Sequence, residues 1–250
     1  MSRFAALTLL CLAATAPSQA QDAGKVEPAK PEAVLELFTS QGCSSCPAAD
    51  ALFVELARDR RLLVLTLPVD YWDYLGWRDT LAHAAFTHRQ RAYAKSRGDG
   101  HIYTPQAVIN GAVHVVGSDR GAIEQALRQG RPAGQPAALP LDVTVRETGA
   151  GFVISVSGRA NASSAAIWIA PVARHRAVAI QRGENKGREV VYANVVRALT
   201  RIGDWRGEPV SIEIPASLAA HAEADSFAVL VHADGGKLGR LIGAAKAPRF

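Results

Sequence analysis

Two cysteines separated by two serines stand where an apolar run gives way to a helical pattern. Residues 33–38 are mostly apolar, polar residues follow, and Cys43 and Cys46 come directly before Pro47. A Cys-x-x-Cys pair between a strand and a helix is typical of a redox dithiol. The free N–H groups at a helix start favour negative charge and lower the pKa of a thiol placed there. This pattern predicts Cys43 as an exposed nucleophile and Cys46 as the thiol that resolves a mixed disulfide.

Two other chemistries fit a lone cysteine pair. The pair could form a passive structural disulfide, or its thiolates could capture a soft metal such as Cu(I). Zinc would need more ligands, and the chain has only 3 cysteines, one of which is Cys11 near the N-terminus. We therefore predict no metal site and no cofactor, and we keep the passive disulfide and the Cu(I) site as alternatives.

One carboxylate precedes the cysteines on the same predicted strand. Glu36 shares a strand face with Val34 and Phe38. A buried carboxylate close to a dithiol could relay protons from the resolving thiol. The other interpretation is a glutamate that reaches solvent at the end of its strand, as most glutamates do.

The N-terminal residues predict export. A short basic start, an apolar core over 4–14 and small residues up to Ala20 indicate a signal peptide at 1–20, with an uncleaved anchor as the alternative. A flexible lead-in over 21–31 follows. We expect a periplasmic or secreted protein without stable membrane insertion after cleavage. The formal charge of +5 is scattered along the chain, which argues against nucleic-acid binding.

Residues 32–130 alternate strand and helix patterns. The predicted order is a strand at 34–38, a helix from 47 to about 60, a strand at 62–69, a helix from 79 to 96, a hairpin over 106–117 and a helix over 119–129. Asn110-Gly111 between two short apolar runs is a strong hairpin signal. The close strand-helix-strand spacing predicts a parallel crossover.

With this element order, the Cys43–Pro47 segment and Thr104-Pro105, the region resembles the thioredoxin and glutaredoxin superfamily. The resemblance implies a central mixed sheet flanked by helices, a cis Pro105 beside the dithiol, and a Thr104 backbone that pairs with an extended substrate. More narrowly, residues 36–47 and the Arg182–Asn185 motif look like a family of exported bacterial thioredoxin-like proteins of unassigned function. Thioredoxin itself differs, because it has a tryptophan before the first cysteine and Gly-Pro between the two.

The second part of the chain has a different hydrophobic pattern. A Pro- and Ala-rich linker at 131–140 leads into 141–250, where short alternating runs predict a β-rich domain resembling a small antiparallel sandwich. The 182–187 stretch is either a binding loop or a plain turn. Aromatic residues at 71–77 either line a substrate groove or pack in the interior.

The sequence thus favours an exported thiol-disulfide oxidoreductase. Its partners would be proteins that bear thiols or disulfides, engaged by Cys43 and Cys46 with help from Thr104 and Pro105. The alternative is a non-catalytic thioredoxin-like binding module or a Cu(I)-binding protein.

Overall fold

A computed structural model gives the structure of the chain and describes residues 30–129, 139–233, 238–248 and 250. The predicted signal peptide at 1–20, almost all of the lead-in and most of the linker at 131–140 lie outside these residues. None of the described helices has the length and hydropathy needed to cross a bilayer.

The first half alternates strands and helices as expected. Its elements are β1 (Ala33–Thr39), α1 (Cys46–Leu56), β2 (Leu62–Pro68), a 3-10 turn (Asp73–Leu75), α2 (Ala84–Arg97), β3 (Gln106–Ile109), β4 (Val113–Val116) and α3 (Arg120–Gln129). Strand β1 pairs parallel with β2 and antiparallel with β3. This is the element order that the resemblance implied.

Helix α2 begins five residues later than the predicted start at residue 79. Asp79 is bound into the preceding loop, where its carboxylate accepts hydrogen bonds from the N–H groups of Gln41 and Leu81 at 2.8 Å each. His83 instead caps the helix, because its Nδ1 accepts a hydrogen bond from the Ala85 N–H at 3.1 Å. Residues 79–83 therefore lie in the loop before α2, and this loop is hydrogen-bonded to the cysteine loop through Asp79 and Gln41.

The second half is rich in strands. Its elements are β5 (Leu141–Glu147), β6 (Gly151–Gly158), β7 (Ala165–Ala179), β8 (Glu189–Val196), β9 (Thr200–Trp205), β10 (Val210–Pro215), α4 (Ala216–Ala219), β11 (Ser226–Ala233) and β12 (Leu241–Lys246). Strands β10, β6 and β5 form a separate three-stranded antiparallel sheet.

The remaining C-terminal strands join the sheet of the first half. The order β12-β11-β7-β8-β2-β1-β3-β4, with β9 paired to β7, makes a nine-stranded mixed sheet. Within this sheet, the two halves are joined by the parallel pair β2–β8, in register at Thr66 and Val195. The three-stranded sheet packs over the C-terminal part of this large sheet, because Val143 and Ile154 share one apolar cluster with Ile167 and Val229. The fold is mixed α/β, and the predicted sandwich-like packing forms on a sheet that both halves build.

The two faces of β1 bury different partners. Leu35 and Leu37 lie in the apolar cluster that contains Phe53 of α1. Val34 and Phe38 lie in the cluster that contains residues of α2. Because side chains alternate along a strand, every β1 side chain faces either α1 or α2.

Candidate functional site

The cysteine pair lies where β1 ends and α1 begins. A loop over 40–45 leaves β1, and Cys46 is the first residue of α1. Cys43 and Cys46 are joined by a disulfide with a Cα–Cα separation of 5.4 Å. Pro47 is accommodated in the first helical turn, where a missing N–H costs no hydrogen bond. The predicted position of the pair at a helix start is therefore what the structure has.

The exposure of the pair differs from the sequence-based expectation. Cys43 was predicted to be exposed, but only 3 % of it is accessible, and Cys46 is fully buried. Ser44 and Ser45 between them are exposed. The Ser45 Oγ lies 3.5 Å from the Cys43 sulfur, close enough for a weak hydrogen bond to it. Segments from elsewhere in the chain contact the backbone of this loop at Gly42 and Cys43.

Gln41 is the residue through which the loop before α2 holds the cysteine loop. Its side-chain Oε1 accepts a hydrogen bond from the Trp77 indole at 2.8 Å, and its Nε2 donates to the Thr80 hydroxyl at 3.2 Å. Its backbone N–H donates to Asp79. Asp79 is buried, which raises its pKa to about 6. The cysteine loop is therefore held on one side by a fully bonded glutamine.

Trp72 connects the cysteine loop to the predicted substrate-binding residues. Its Cβ would lie 3.1 Å from a Cβ at Gly42, so only a glycine fits there without displacement. Its indole N–H donates to the Thr104 hydroxyl at 2.8 Å. The Thr104–Pro105 bond is cis, as the resemblance implied. Among the described residues, the Thr104 backbone makes no hydrogen bond to another backbone group.

The aromatic residues at 71–77 include some that pack in the interior and one that is exposed. Tyr71 and Trp72 pack against the main apolar cluster, which is a structural role. Tyr74 is 77 % exposed and stacks on Trp72, with ring centroids 6.5 Å apart. An exposed ring therefore lies over the indole that connects Gly42 with Thr104.

The structure does not bring Glu36 to the dithiol. Glu36 has the β1 parity of Val34 and Phe38 and is fully buried on the α2 side, as the shared-face prediction required. The guanidinium of Arg89 donates from Nε to Glu36 Oε1 at 2.7 Å. The Tyr93 hydroxyl donates to the other oxygen. Helix α1, with Cys46, packs on the opposite face.

A histidine completes this buried group. Arg89 Nη2 lies 2.8 Å from His232 Nε2, and His232 Nδ1 lies 2.9 Å from the Gly239 carbonyl. Since arginine only donates, Nε2 must accept and Nδ1 must carry the proton. Burial, together with the charge of Arg89, lowers the pKa of His232 well below its usual range. Glu36 and Arg89 thus form one buried ion pair, and their hydrogen-bond partners Tyr93 and His232 are neutral.

A carboxyl that sequence reasoning missed lies on the α1 side. Asp50 is 2 % exposed and follows Cys46 by one helical turn. Its Oδ1 accepts a hydrogen bond from the Thr39 hydroxyl at 2.7 Å, and its Oδ2 has no partner among the described residues. Burial raises the pKa of Asp50 well above its usual range. The spacing of four residues from Cys46 on a helix was the signal that could have found it.

Tyr192 of β8 lies in the same electrostatic environment. Its hydroxyl is buried without a hydrogen-bond partner among the described residues. Burial raises its pKa far above the usual range, and Asp50 and Asp79 add to the shift. A strand of the second half therefore borders the polar interior behind the cysteine loop.

The second half also reaches the cysteine loop through a side chain of the Arg182–Asn185 motif. Asn185 Nδ2 donates to the carbonyl oxygens of Gln41 at 2.9 Å and Cys43 at 2.8 Å. From the sequence, this stretch is either a binding loop or a turn, and no single residue in it stands out as functional. No sequence-local signal points to such a contact, since 142 residues separate Asn185 from Cys43.

Within the described part of the chain, one group of three side chains has ligand atoms close enough to share a metal ion. It consists of Asp99, His101 and His114, whose ligand atoms lie within 4.8 Å of one another. Arg97 already pairs with Asp99, its Nε donating at 2.8 Å and lowering the pKa of that carboxyl. A bound cation would have to compete with this guanidinium, so the group does not support a metal site.

A family model described as "Protein of unknown function (DUF1223)" matches residues 34–232 of the chain. The crystal structure of Protein AGR_C_4864 from Agrobacterium tumefaciens is similar, with 32% sequence identity and a TM-score of 0.76. That match covers 88% of this chain and 95% of the other.

A second solved structure, HBP35 of Porphyromonas gingivalis, has a TM-score of 0.56 at 13% identity, over 88% of this chain and 75% of the other, and so supports the fold alone. No curated protein matches the sequence.

Proposed function

The chain belongs to the DUF1223 family of proteins of unknown function, and we propose that it is an exported thiol-disulfide oxidoreductase acting through Cys43 and Cys46. The observation that carries this proposal is the Cys-x-x-Cys pair at the start of α1. There the helix N–H groups favour a thiolate, which is the reactive form of cysteine. The electrons reside in the dithiol itself, so the exchange requires no cofactor.

Exchange with a partner proceeds in two displacements. In the reducing direction the Cys43 thiolate attacks a partner disulfide, forms a mixed disulfide and releases one partner thiolate. The Cys46 thiolate then attacks the Cys43 sulfur, which closes the internal disulfide and releases the second partner thiolate. Two electrons pass from the dithiol to the partner, and the oxidising direction is the reverse.

Asp50 is the group best suited to take the proton of Cys46. The thiol of Cys46 is fully buried, so it requires a base close by to become a thiolate. Residues four apart on a helix lie on the same face, and Asp50 Oδ2 has no partner among the described residues. In this assignment the proton moves from Cys46 to Asp50, directly or through one water molecule. Glu36 is replaced in this role because it lies on the other face of β1.

The Thr104 segment is the proposed docking strand for the partner. Its backbone has no backbone partner among the described residues, so it can pair with an extended chain by β-addition. The exposed ring of Tyr74, stacked on Trp72, offers an apolar contact beside it. These groups would align a partner disulfide with Cys43.

A trapping experiment tests the proposed function. In a Cys46→Ser variant the resolving thiol is missing, so Cys43 should accumulate a stable mixed disulfide with oxidised glutathione and with an unfolded protein disulfide. Mass spectrometry of the intact protein measures the adduct, which dithiothreitol should remove. Both variants are made in the chain lacking residues 1–20, which removes Cys11. Cys43→Ser is the matched control and should form far less adduct, because its one remaining thiol, that of Cys46, is fully buried. Absence of adduct on Cys46→Ser would contradict the proposal.

A fixed structural disulfide is the second candidate. The 3 % exposure of Cys43 favours it, because a buried sulfur is poorly accessible to an incoming thiolate. In that case the pair would resist exchange while the protein stays folded.

A further inference from the structure

Asn185 is buried at the cysteine loop although it belongs to the second half of the chain. It lies between β7 and β8 and is 1 % exposed. The two hydrogens of its one amide nitrogen reach the carbonyl oxygens of Gln41 and Cys43, the residues on either side of Gly42. The opposite orientation of the amide would set Asn185 Oδ1 against two carbonyl oxygens, so the donor assignment follows from chemistry.

The loop that carries Asn185 is ordered by its own hydrogen bonds. The Ile180 N–H donates to the Arg188 carbonyl at 2.9 Å, and the Gly187 N–H donates to the Ile180 carbonyl at 2.8 Å. Gly183 has φ +75 and packs against Trp77, where an added Cβ would lie 3.2 Å from the Trp77 Cβ. The turn therefore presents Asn185 in a fixed position, packed on the same tryptophan that binds Gln41.

The contact bears directly on the charge near the Cys43 sulfur. The Cys43 carbonyl also accepts a hydrogen bond from the Cys46 N–H at 3.2 Å, so Asn185 supplies a second donor to the same oxygen. Donors that bind a carbonyl reduce the negative potential that its oxygen imposes on a neighbouring thiolate. They also keep the loop in the conformation in which Cys43 faces the helix start.

We propose that Asn185 is a positioning residue of the dithiol, which holds the Gln41 and Cys43 carbonyls so that Cys43 keeps a reactive thiolate at the start of α1. The inference rests on the proposed function and deepens it, because it makes the second half of the chain a part of the redox site. It also gives the Arg182–Asn185 motif a role in chemistry rather than in turn formation alone.

The test measures the ionisation of Cys43 in variants that lack residues 1–20 and carry Cys46→Ser, so that Cys43 is the one thiol left. In Asn185→Ala we expect the pKa of Cys43 to rise. At a pH below this pKa, each unit of increase lowers the thiolate fraction, and with it the rate of alkylation by iodoacetamide, about tenfold. Thiolate absorbance against pH gives the pKa independently of any exchange activity. Asn185→Ser, which keeps one donor, should give a smaller rise.

Asn194→Gly is the matched control. Asn194 is also a buried asparagine of the second half, and its Nδ2 donates to the Val64 carbonyl at 2.9 Å, within the sheet. Glycine accepts its φ of 49, so the change removes the amide without backbone strain. We expect this variant to lose stability while the pKa of Cys43 stays unchanged.

The outcomes separate the inference from the proposed function. An unchanged Cys43 pKa in both folded Asn185 variants would overturn the role of Asn185, even if the parent exchanges disulfides. A raised pKa would support that role even if the parent shows no exchange, which would contradict the oxidoreductase proposal alone. Equal shifts of the Cys43 pKa in Asn185→Ala and Asn194→Gly would show that general destabilisation causes the shift. That result would also overturn the inference.

Discussion

At the residue scale, the two buried carboxyls on β1 and α1 differ in what surrounds them. Glu36 is bonded at both oxygens, to Arg89 and Tyr93, in an ion pair whose arginine is itself buried. Asp50 has one bonded oxygen and one without a partner among the described residues. A saturated carboxylate contributes structure, whereas a half-satisfied one is available for proton exchange.

Their substitution by the neutral isosteres should have opposite effects on stability. Glu36→Gln leaves the charge of Arg89 buried and unpaired, which should lower the free energy of unfolding by about 3–5 kcal/mol. Asp50→Asn removes a carboxyl whose pKa burial raises, so it should stabilise the protein at neutral pH. Urea unfolding of both variants at pH 7 measures this contrast.

The pH dependence has a definite sign. The folded state raises the pKa of Asp50, so folding is favoured while the carboxyl is protonated. This stability is lost as the pH rises above the ordinary aspartate pKa of about 3.9 and through the folded pKa. Asp50→Asn should remove that part of the decline.

Asp50→Asn should also slow resolution of the mixed disulfide and change the pH profile of that step. Glu36→Gln should leave both the rate and the pH profile as in the parent. The reverse kinetic pattern would reinstate Glu36 as the relay.

The sequence located some of these residues and missed others for physical reasons. The alternation of β1 correctly placed Glu36 with Val34 and Phe38. It could not show that Arg89 would pair with the charge of Glu36 or that Tyr93 would hydrogen-bond to it. Asn185 was noticed only as part of a motif, because its contact with Cys43 depends on how distant strands pair.

At the element scale, three segments of the site meet at Gly117. A Cβ there would lie 2.6 Å from Leu37 Cδ1, 3.2 Å from Pro105 Cβ and 3.3 Å from Ala49 Cβ. Strand β1, helix α1 and the proline segment therefore approach one another only because this position lacks a side chain. The close packing fixes Pro105 relative to the helix that begins at Cys46.

Gly117→Ala should force these elements apart. We expect a loss of about 1–3 kcal/mol in unfolding free energy, the range for overpacking a core. Gly121→Ala is the control, because in α3 the nearest atom to its added Cβ is Asp119 Oδ1 at 3.5 Å. Alanine is the better helix former, so this variant should gain about 0.5–1 kcal/mol. Thermal unfolding of both proteins measures the difference, and a neutral Gly117→Ala would show that the three segments do not meet as described.

Element prediction succeeded where local chemistry was strong. The Asn110-Gly111 turn formed with both residues at positive φ, 49 and 66, as the hairpin pattern predicts. In the second half the alternating runs predict strands at 141–145, 152–157, 166–170, 178–180, 190–196, 209–214 and 227–232, and none of these covers β9 or β12. Strand β12 runs Leu-Ile-Gly-Ala-Ala-Lys, and its small residues have weak strand propensity, so its pairing with β11 supplies what the local sequence lacks.

At the scale of the whole molecule, the two halves share one sheet and one core. Val34, Phe38 and Leu65 of the first half lie in the same apolar cluster as Val196 and Leu230 of the second. The change in sequence pattern near residue 140 correctly marked a shift from alternating strands and helices to strands. It could not reveal that β8 pairs with β2, because that pairing joins residues 129 positions apart.

A fragment of residues 30–129 should therefore fail to fold on its own. Removing the second half exposes the apolar face that it covers and takes away Asn185 from the cysteine loop. We expect the fragment to lack a cooperative urea transition, whereas the chain lacking residues 1–20 should unfold in one. A well-dispersed amide spectrum from the fragment would show that the first half is an autonomous domain.

The central claim is that the Cys43–Cys46 pair exchanges disulfides in the folded protein. Its most direct test is a titration of the chain lacking residues 1–20 in glutathione and dithiothreitol buffers, with thiols alkylated and counted by mass. We predict reversible two-electron equilibration in the folded state, with a potential above about −300 mV, the level below which structural disulfides of secreted proteins fall. A pair that stays oxidised in every buffer until the protein unfolds would contradict the account.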